Sequence, residues 1–300
     1  MSAAAVQGTA RWLAVGALVF NAFTWGVSWW PFRQLDAQGL HPLWLTGCIY
    51  SIAVVVLLLA RPAAAGQLLR TRTLWWLVLA AGGTNACFNW AVSIGDVVRV
   101  VLLFYLMPLW TVLLSRWLLG ERISARGALR VALALAGAVV VLWPAGTTGA
   151  TGATSHGLLP DALGLLGGFC FALNNVLLRR EAQQPESARA LAMFAGGAVV
   201  SLALAAWLTA AGSAPAPPPL AWGWGLAALG LAAWFLASNL ALQHGAARLP
   251  ANTTSVVMLS EVFFASASAL ALGAGSLGWR EALGAAMILG GALLASVQRD

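Results

Sequence analysis

Apolar residues run along this chain in long blocks, at about 11–30, 41–60, 73–94, 97–119, 126–143, 157–178, 188–210, 220–243, 251–273 and 279–297. Each block has about the 17 to 25 residues that a helix needs to cross a hydrocarbon core of roughly 30 Å. The pattern predicts an all-α integral membrane protein with ten transmembrane helices. The longest connections, PAGTTGATGATSHG (144–157) and GSAPAPPP (212–219), are too short and too rich in Gly, Thr and Pro to fold as domains. The opening MSAAAVQGTAR lacks the basic flank, short apolar stretch and cleavage site of a removable signal, so the first block is expected to stay as an integral helix.

Inside this apolar background one polar signature occurs twice. Residues 89–95 read NWAVSIG and residues 239–245 read NLALQHG, sharing N-x-A-x-x-x-G at a spacing of 150. The first copy closes the third block and the second closes the eighth. Five helices of separation is an odd number, so the copies point in opposite directions through the bilayer. ALRVALALAGAVVVL (128–142) and ALGAAMILGGALLAS (282–296) add a weaker similarity, ungapped within itself at a spacing of 154. The expectation is two inverted five-helix repeats, 1–150 and 151–300, an arrangement that lets a site at their interface face each side in turn.

Charge sharpens the topology. All sixteen basic residues are Arg, and alternation of ten helices places thirteen of them on one side, leaving Arg33, Arg99 and Arg280 on the other. The positive-inside rule then puts both termini in the cytoplasm. It also accounts for the net charge of +7 without nucleic acid as a partner. With 61% hydrophobic and 8% charged residues and a mean hydropathy of +0.84, the chain has too little polar surface for a soluble globule. Its partners are membrane lipid and a small-molecule substrate, and its oligomeric state is left open. Trp29, Trp30, Trp44, Trp75, Trp76, Trp117, Trp143, Trp222, Trp224 and Trp279 lie near block ends as an interfacial belt. Cys48, Cys87 and Cys170 have no metal-ligand spacing and read as small buried hydrophobes.

Within a bilayer the informative positions are polar side chains and helix breakers, which must face a cavity or a partner helix. Pro108, in FYLMPLW, predicts a kink at mid-depth of the fourth helix. Glu261, in MLSEVFF, is the carboxylate placed deepest in a span. Three roles stand open for it: counter-ion to a substrate ammonium, proton-coupling group, or structural acid. Asn21, Asn85, Asn89, Asn174, Asn175 and Asn239 form a set of intramembrane amides suited to a zwitterion or to bonds between helices. Tyr50, Tyr105, Trp25, Trp110, Trp234 and Phe264 are candidates to line an aromatic cavity, or to pack the core. No nucleophile–base pair, HExxH, P-loop or CxxC occurs, so no catalytic role, cofactor, metal or ATP hydrolysis is assigned.

The first-span NAFTWGVSW, the fourth-span YLMPLWTVLLS followed by LLGER, and the paired Gly-rich fifth and tenth spans resemble the drug/metabolite transporter superfamily, EamA type, over essentially the whole chain. MPLWTVLLS and the N-x-A-x-x-x-G ends are most similar to bacterial aromatic amino acid exporters within it. The resemblance implies a multi-pass protein of the bacterial inner membrane that exports neutral, aromatic amino acids by alternating access. Other small organic solutes or drugs are the alternative cargo, and a membrane-embedded enzyme or scaffold the remote one. It further implies a central cavity lined by spans one to four and six to nine, using Trp25, Asn89, Tyr105, Pro108, Asn175, Asn239 and Glu261. One departure is Leu119-Gly120-Glu121, whose second copy reads Leu272-Gly273-Ala274 and has lost its acid.

Overall fold

A computed structural model describes residues 3–120, 125–142, 157–219, 222–246, 248–249, 254 and 257–296. Among the described residues there are thirteen helices and no strand. They are α1 (Ala3–Val27), α2 (Trp29–Asp36), α3 (Pro42–Ala60), α4 (Ala63–Arg70), α5 (Leu74–Ile94), α6 (Val97–Phe104), α7 (Met107–Leu119), α8 (Ala125–Leu142), α9 (Leu158–Arg180), α10 (Glu186–Ala210), α11 (Trp222–Ala246), α12 (Ser260–Ala271) and α13 (Trp279–Ser296).

Among the described residues seven stretches are long and apolar enough to cross a membrane: Trp12–Asp36, Pro42–Ala60, Leu74–Ile94, Val97–Leu119, Leu158–Arg180, Glu186–Ala210 and Gly223–Leu242. The apolar parts of α8 and α12, Val131–Leu142 and Ser260–Ala271, are shorter. The first stretch runs on to Asp36 instead of stopping near residue 30, because α2 buries Phe32 and Leu35 and carries the helical path past the break at Ser28. Local chemistry sets the other ends. Pro42 opens α3, where its missing N–H costs nothing, and His41 Nδ1 accepts from the Leu43 amide at 3.3 Å. Burial holds this imidazole below its ordinary pKa, against the opposing pull of Asp36, in keeping with its use as an acceptor. α5 ends at Gly95, the last residue of the first repeated signature.

Packing sorts the long helices into two groups. In one, α5 and both α6 and α7 lie against α9; in the other, α11 and α12 lie against α1. Each group therefore mixes early and late parts of the chain. α10 packs on α5 and on α3, α3 reaches α11, and α8 pairs with α13. Small residues allow the tightest of these approaches: a Cβ on Gly82 of α5 would stand 2.5 Å from the Gly196 carbonyl of α10, and Gly137 and Gly284 play the same part between α8 and α13. Gly82→Ala is expected to lower the stability of the purified protein by about 1–3 kcal/mol through overpacking. Gly230→Ala, on an exposed face of α11 with nothing within 4 Å, should leave it equal or higher. Thermal unfolding in detergent measures both.

Candidate functional site

The fourth apolar stretch is broken in the middle. α6 stops at Phe104, Tyr105 and Leu106 make a turn, and α7 restarts with Pro108 in its first turn. Pro108 has no N–H, so the Phe104 carbonyl loses its donor four residues on. That carbonyl lies against Gly168 of α9, where a Cβ would stand 2.5 Å from the oxygen. A second turn, at Leu259, precedes α12, which carries Glu261 in its first turn, where a helix favours negative charge.

These two discontinuities meet across the boundary between the helix groups. The buried Tyr105 hydroxyl donates to Glu261 Oε2 at 3.0 Å and lies 3.4 Å from the Met258 carbonyl. Glu261 is half-buried, and no arginine or histidine among the described residues stands within ion-pair distance of it. α1 backs this turn closely, since a Cβ on Gly26 would be 2.8 Å from the Glu261 carbonyl and 2.7 Å from Phe264 Cβ. The result is a carboxylate at a helix start, held by one phenol and lacking a cation among the described residues.

An aromatic chain runs beside it. Trp25 lies 4.9 Å from Phe235 and 6.4 Å from Phe88, Phe88 lies 4.7 Å from Phe104, and Phe104 lies 5.4 Å from Phe171 and 6.3 Å from Tyr105. Trp25 and Phe235 belong to one group, and Phe88, Phe104 and Phe171 to the other. Edge-on and tilted rings at these separations give a dense apolar lining that one more ring can extend.

Other candidates are spread over several contacts. Phe264 packs edge-on to Phe23 at 5.4 Å. Asn21 donates to the Ser238 hydroxyl at 2.7 Å and carbonyl at 3.0 Å, and Asn89 donates to the Thr46 hydroxyl at 3.1 Å. The carbonyl oxygens of Asn21, Asn89 and Asn174 are buried without a protein donor, as is the Trp110 indole N–H without an acceptor beside Phe169. Asn175 and Asn239 are half-buried on α9 and α11. Tyr50 and Asn85 are engaged with each other instead: the phenol donates to Asn85 Oδ1 at 2.5 Å, and Asn85 Nδ2 donates to the Ala81 carbonyl at 2.8 Å. Gly197 of α10 lies against the Tyr50 ring, so this pair belongs to the α3–α5–α10 contact, and Trp234 joins the apolar cluster around α3. Among the described residues no three His, Cys, Asp or Glu side chains converge as metal ligands.

Sequence reasoning passed over Phe88, Phe104, Phe171 and Phe235, because phenylalanine is unremarkable in an apolar run. It also passed over the pair Arg99 and Asp161, joined by two 2.8 Å bonds in the interior. Their opposite charges, both at starts of blocks on the Arg-poor side, were the available signal.

No curated protein sequence matches the chain. A crystal structure of another protein, 21% identical, superposes with a TM-score of 0.57 over 94% of this chain and 96% of its own, which shows a shared fold. Residues 12–143 match the EamA-like transporter family, of the drug/metabolite transporter superfamily. That part of the chain is thus similar to the EamA-like transporter family, and the described residues include seven stretches long and apolar enough to cross a membrane.

Proposed function

We propose that this protein exports neutral amino acids, aromatic ones above all, across a bacterial inner membrane by alternating access. The observation that carries the reading is the Tyr105–Glu261 contact: a carboxylate without a cation among the described residues, between two helix groups, beside a chain of aromatic rings. A substrate ammonium supplies the missing cation, the rings receive an aromatic side chain, and the unpaired amide oxygens of Asn21, Asn89 and Asn174 offer further acceptors.

The same reading takes the chain as two inverted halves, 1–150 and 151–300, with ten spans and cytoplasmic termini. The packing supports it, because the contacts come in matched pairs five spans apart. α5 on α9 corresponds to α11 on α1; α5 on α10 corresponds to α11 on α3; α6–α7 on α9 corresponds to α12 on α1. The pairs α3–α10, α6–α12 and α8–α13 are their own counterparts. Gly95 packs against Pro160 of α9 as Gly245 packs against Leu18 of α1, which gives the repeated signature its purpose.

A cationic drug also satisfies a lone carboxylate. Uptake of radiolabelled phenylalanine, threonine and a cationic dye into proteoliposomes separates the cargoes. We expect phenylalanine to be taken up fastest, and transport of the dye alone overturns the amino acid assignment.

A further inference from the structure

The end of the bundle that holds Gly95, where the sequence places few arginines, is tied across the two helix groups. Arg33 Nε of α2 donates to the Val92 carbonyl at 2.9 Å and Nη2 donates to the Gly95 carbonyl, with the guanidinium 5.2 Å from the Trp29 ring centroid. Both acceptors lie at the C-terminus of α5, where a helix presents unpaired carbonyls and favours a cation. Asp96 Oδ2 accepts from the Ser276 amide at 2.7 Å and hydroxyl at 3.1 Å, beyond α12, while its Oδ1 caps α6 through the Arg99 amide at 3.0 Å. The Val97 amide donates to the Ala274 carbonyl at 3.2 Å.

The opposite end is built differently. At the repeat spacing of 150, Gly95 corresponds to Gly245, Asp96 to Ala246 and Arg99 to Leu249. Leu249 packs with Ala14 and Leu18 in an apolar cluster. The contact of α2 with the end of α5 has no comparable partner between α9 and α11 among the described residues. Two inverted halves would on their own make the two access states nearly equal in free energy. Polar ties at the Gly95 end, without counterparts among the described residues of the other end, break that balance.

We infer that Arg33 and Asp96 form a gate that holds the Gly95 end closed between turnovers, biasing the resting protein toward access from the opposite, Arg-rich end. The inference rests on the alternating-access reading. Arg99 and Asp161 are not part of the gate: both lie in the α5–α9 group, so they move together and position Asp96 from behind.

The test uses full-length protein in lipid nanodiscs, where both faces meet reagent, with Cys48, Cys87 and Cys170 replaced by Ala and one reporter, Val98→Cys. Val98 is 1% exposed and lies against Gly275, between α6 and the Ser276 segment. Arg33→Ala and Asp96→Ala, introduced separately, are expected to speed maleimide labelling of the reporter by about tenfold or more, with Arg33→Lys close to the parent. Each variant is compared at an unchanged midpoint of thermal unfolding, so that general loosening does not count as opening. Labelling at the parent rate in both alanine variants overturns the gate. A parent that moves none of phenylalanine, threonine or the dye in proteoliposomes overturns the transport reading instead, whatever the labelling shows.

Discussion

Glu261→Gln is expected to lower phenylalanine uptake at limiting concentration by at least about 30-fold, with the protein still folded and inserted. The substitution keeps the size of the side chain and leaves Oε1 able to accept from Tyr105, so the 3.0 Å contact with that hydroxyl survives. What it removes is the charge. In a site of low dielectric, removing one partner of a desolvated charge pair costs about 2–5 kcal/mol, and each 1.4 kcal/mol is tenfold in affinity. Tyr105→Phe should lose less, about tenfold, since it deletes one hydrogen bond to a charged group and leaves the ion pair with the ligand. The loss in Glu261→Gln should fall on substrate affinity, read as the concentration for half-maximal uptake. A structural acid would behave otherwise: uptake would be unchanged per folded molecule, or would fall with thermal stability. Uptake by Glu261→Gln at the parent rate and affinity sinks the counter-ion role.

Several parts of this arrangement were legible in the sequence for definite physical reasons. A membrane leaves a helix few ways to hide polar groups, so apolar block length located the long helices and N-x-A-x-x-x-G marked the end of α5 at Gly95. Pro108 announced the break between α6 and α7 because the loss of an N–H acts within one turn. Glu261 stood out because a carboxylate in an apolar run has a high cost unless something uses it. The misses share a different cause. That Tyr105 would be the partner of Glu261, and Asn85 of Tyr50, depends on which helices adjoin, and one-dimensional spacing does not carry that. Arg33 and Arg99 were counted as the minority in a charge bias, whereas each has a specific acceptor across a helix boundary. The positive-inside rule weighs arginines by side and is blind to what they touch.

The largest effect on stability should come from Asp161. Arg99 of α6 and Asp161 of α9 form a two-pronged ion pair, Nε to Oδ1 and Nη2 to Oδ2 at 2.8 Å each, with side chains only 11% and 12% exposed. The remaining Nη1 donates to the Val141 carbonyl of α8 at 2.5 Å, so one guanidinium joins three helices. The net worth of such a pair against an apolar replacement is small, because removing both charges from water offsets their attraction. Breaking it from one side is another matter: Asp161→Asn leaves the buried Arg99 without its hydrogen-bonded counter-charge, with only the more distant Asp96 and Glu281 acting on it, at a cost of about 3–5 kcal/mol. The expected result is a lower midpoint of thermal unfolding and a poorer yield of folded protein, without the faster labelling at Val98 expected of Arg33→Ala. The exchanged pair, Arg99→Asp with Asp161→Arg, should recover part of the loss, and only part, because the Val141 carbonyl then faces a carboxylate. Equal stability for Asp161→Asn and the parent would mean that the pair is hydrated in the membrane-inserted protein, and α6 would lose the anchor that holds Asp96 in place.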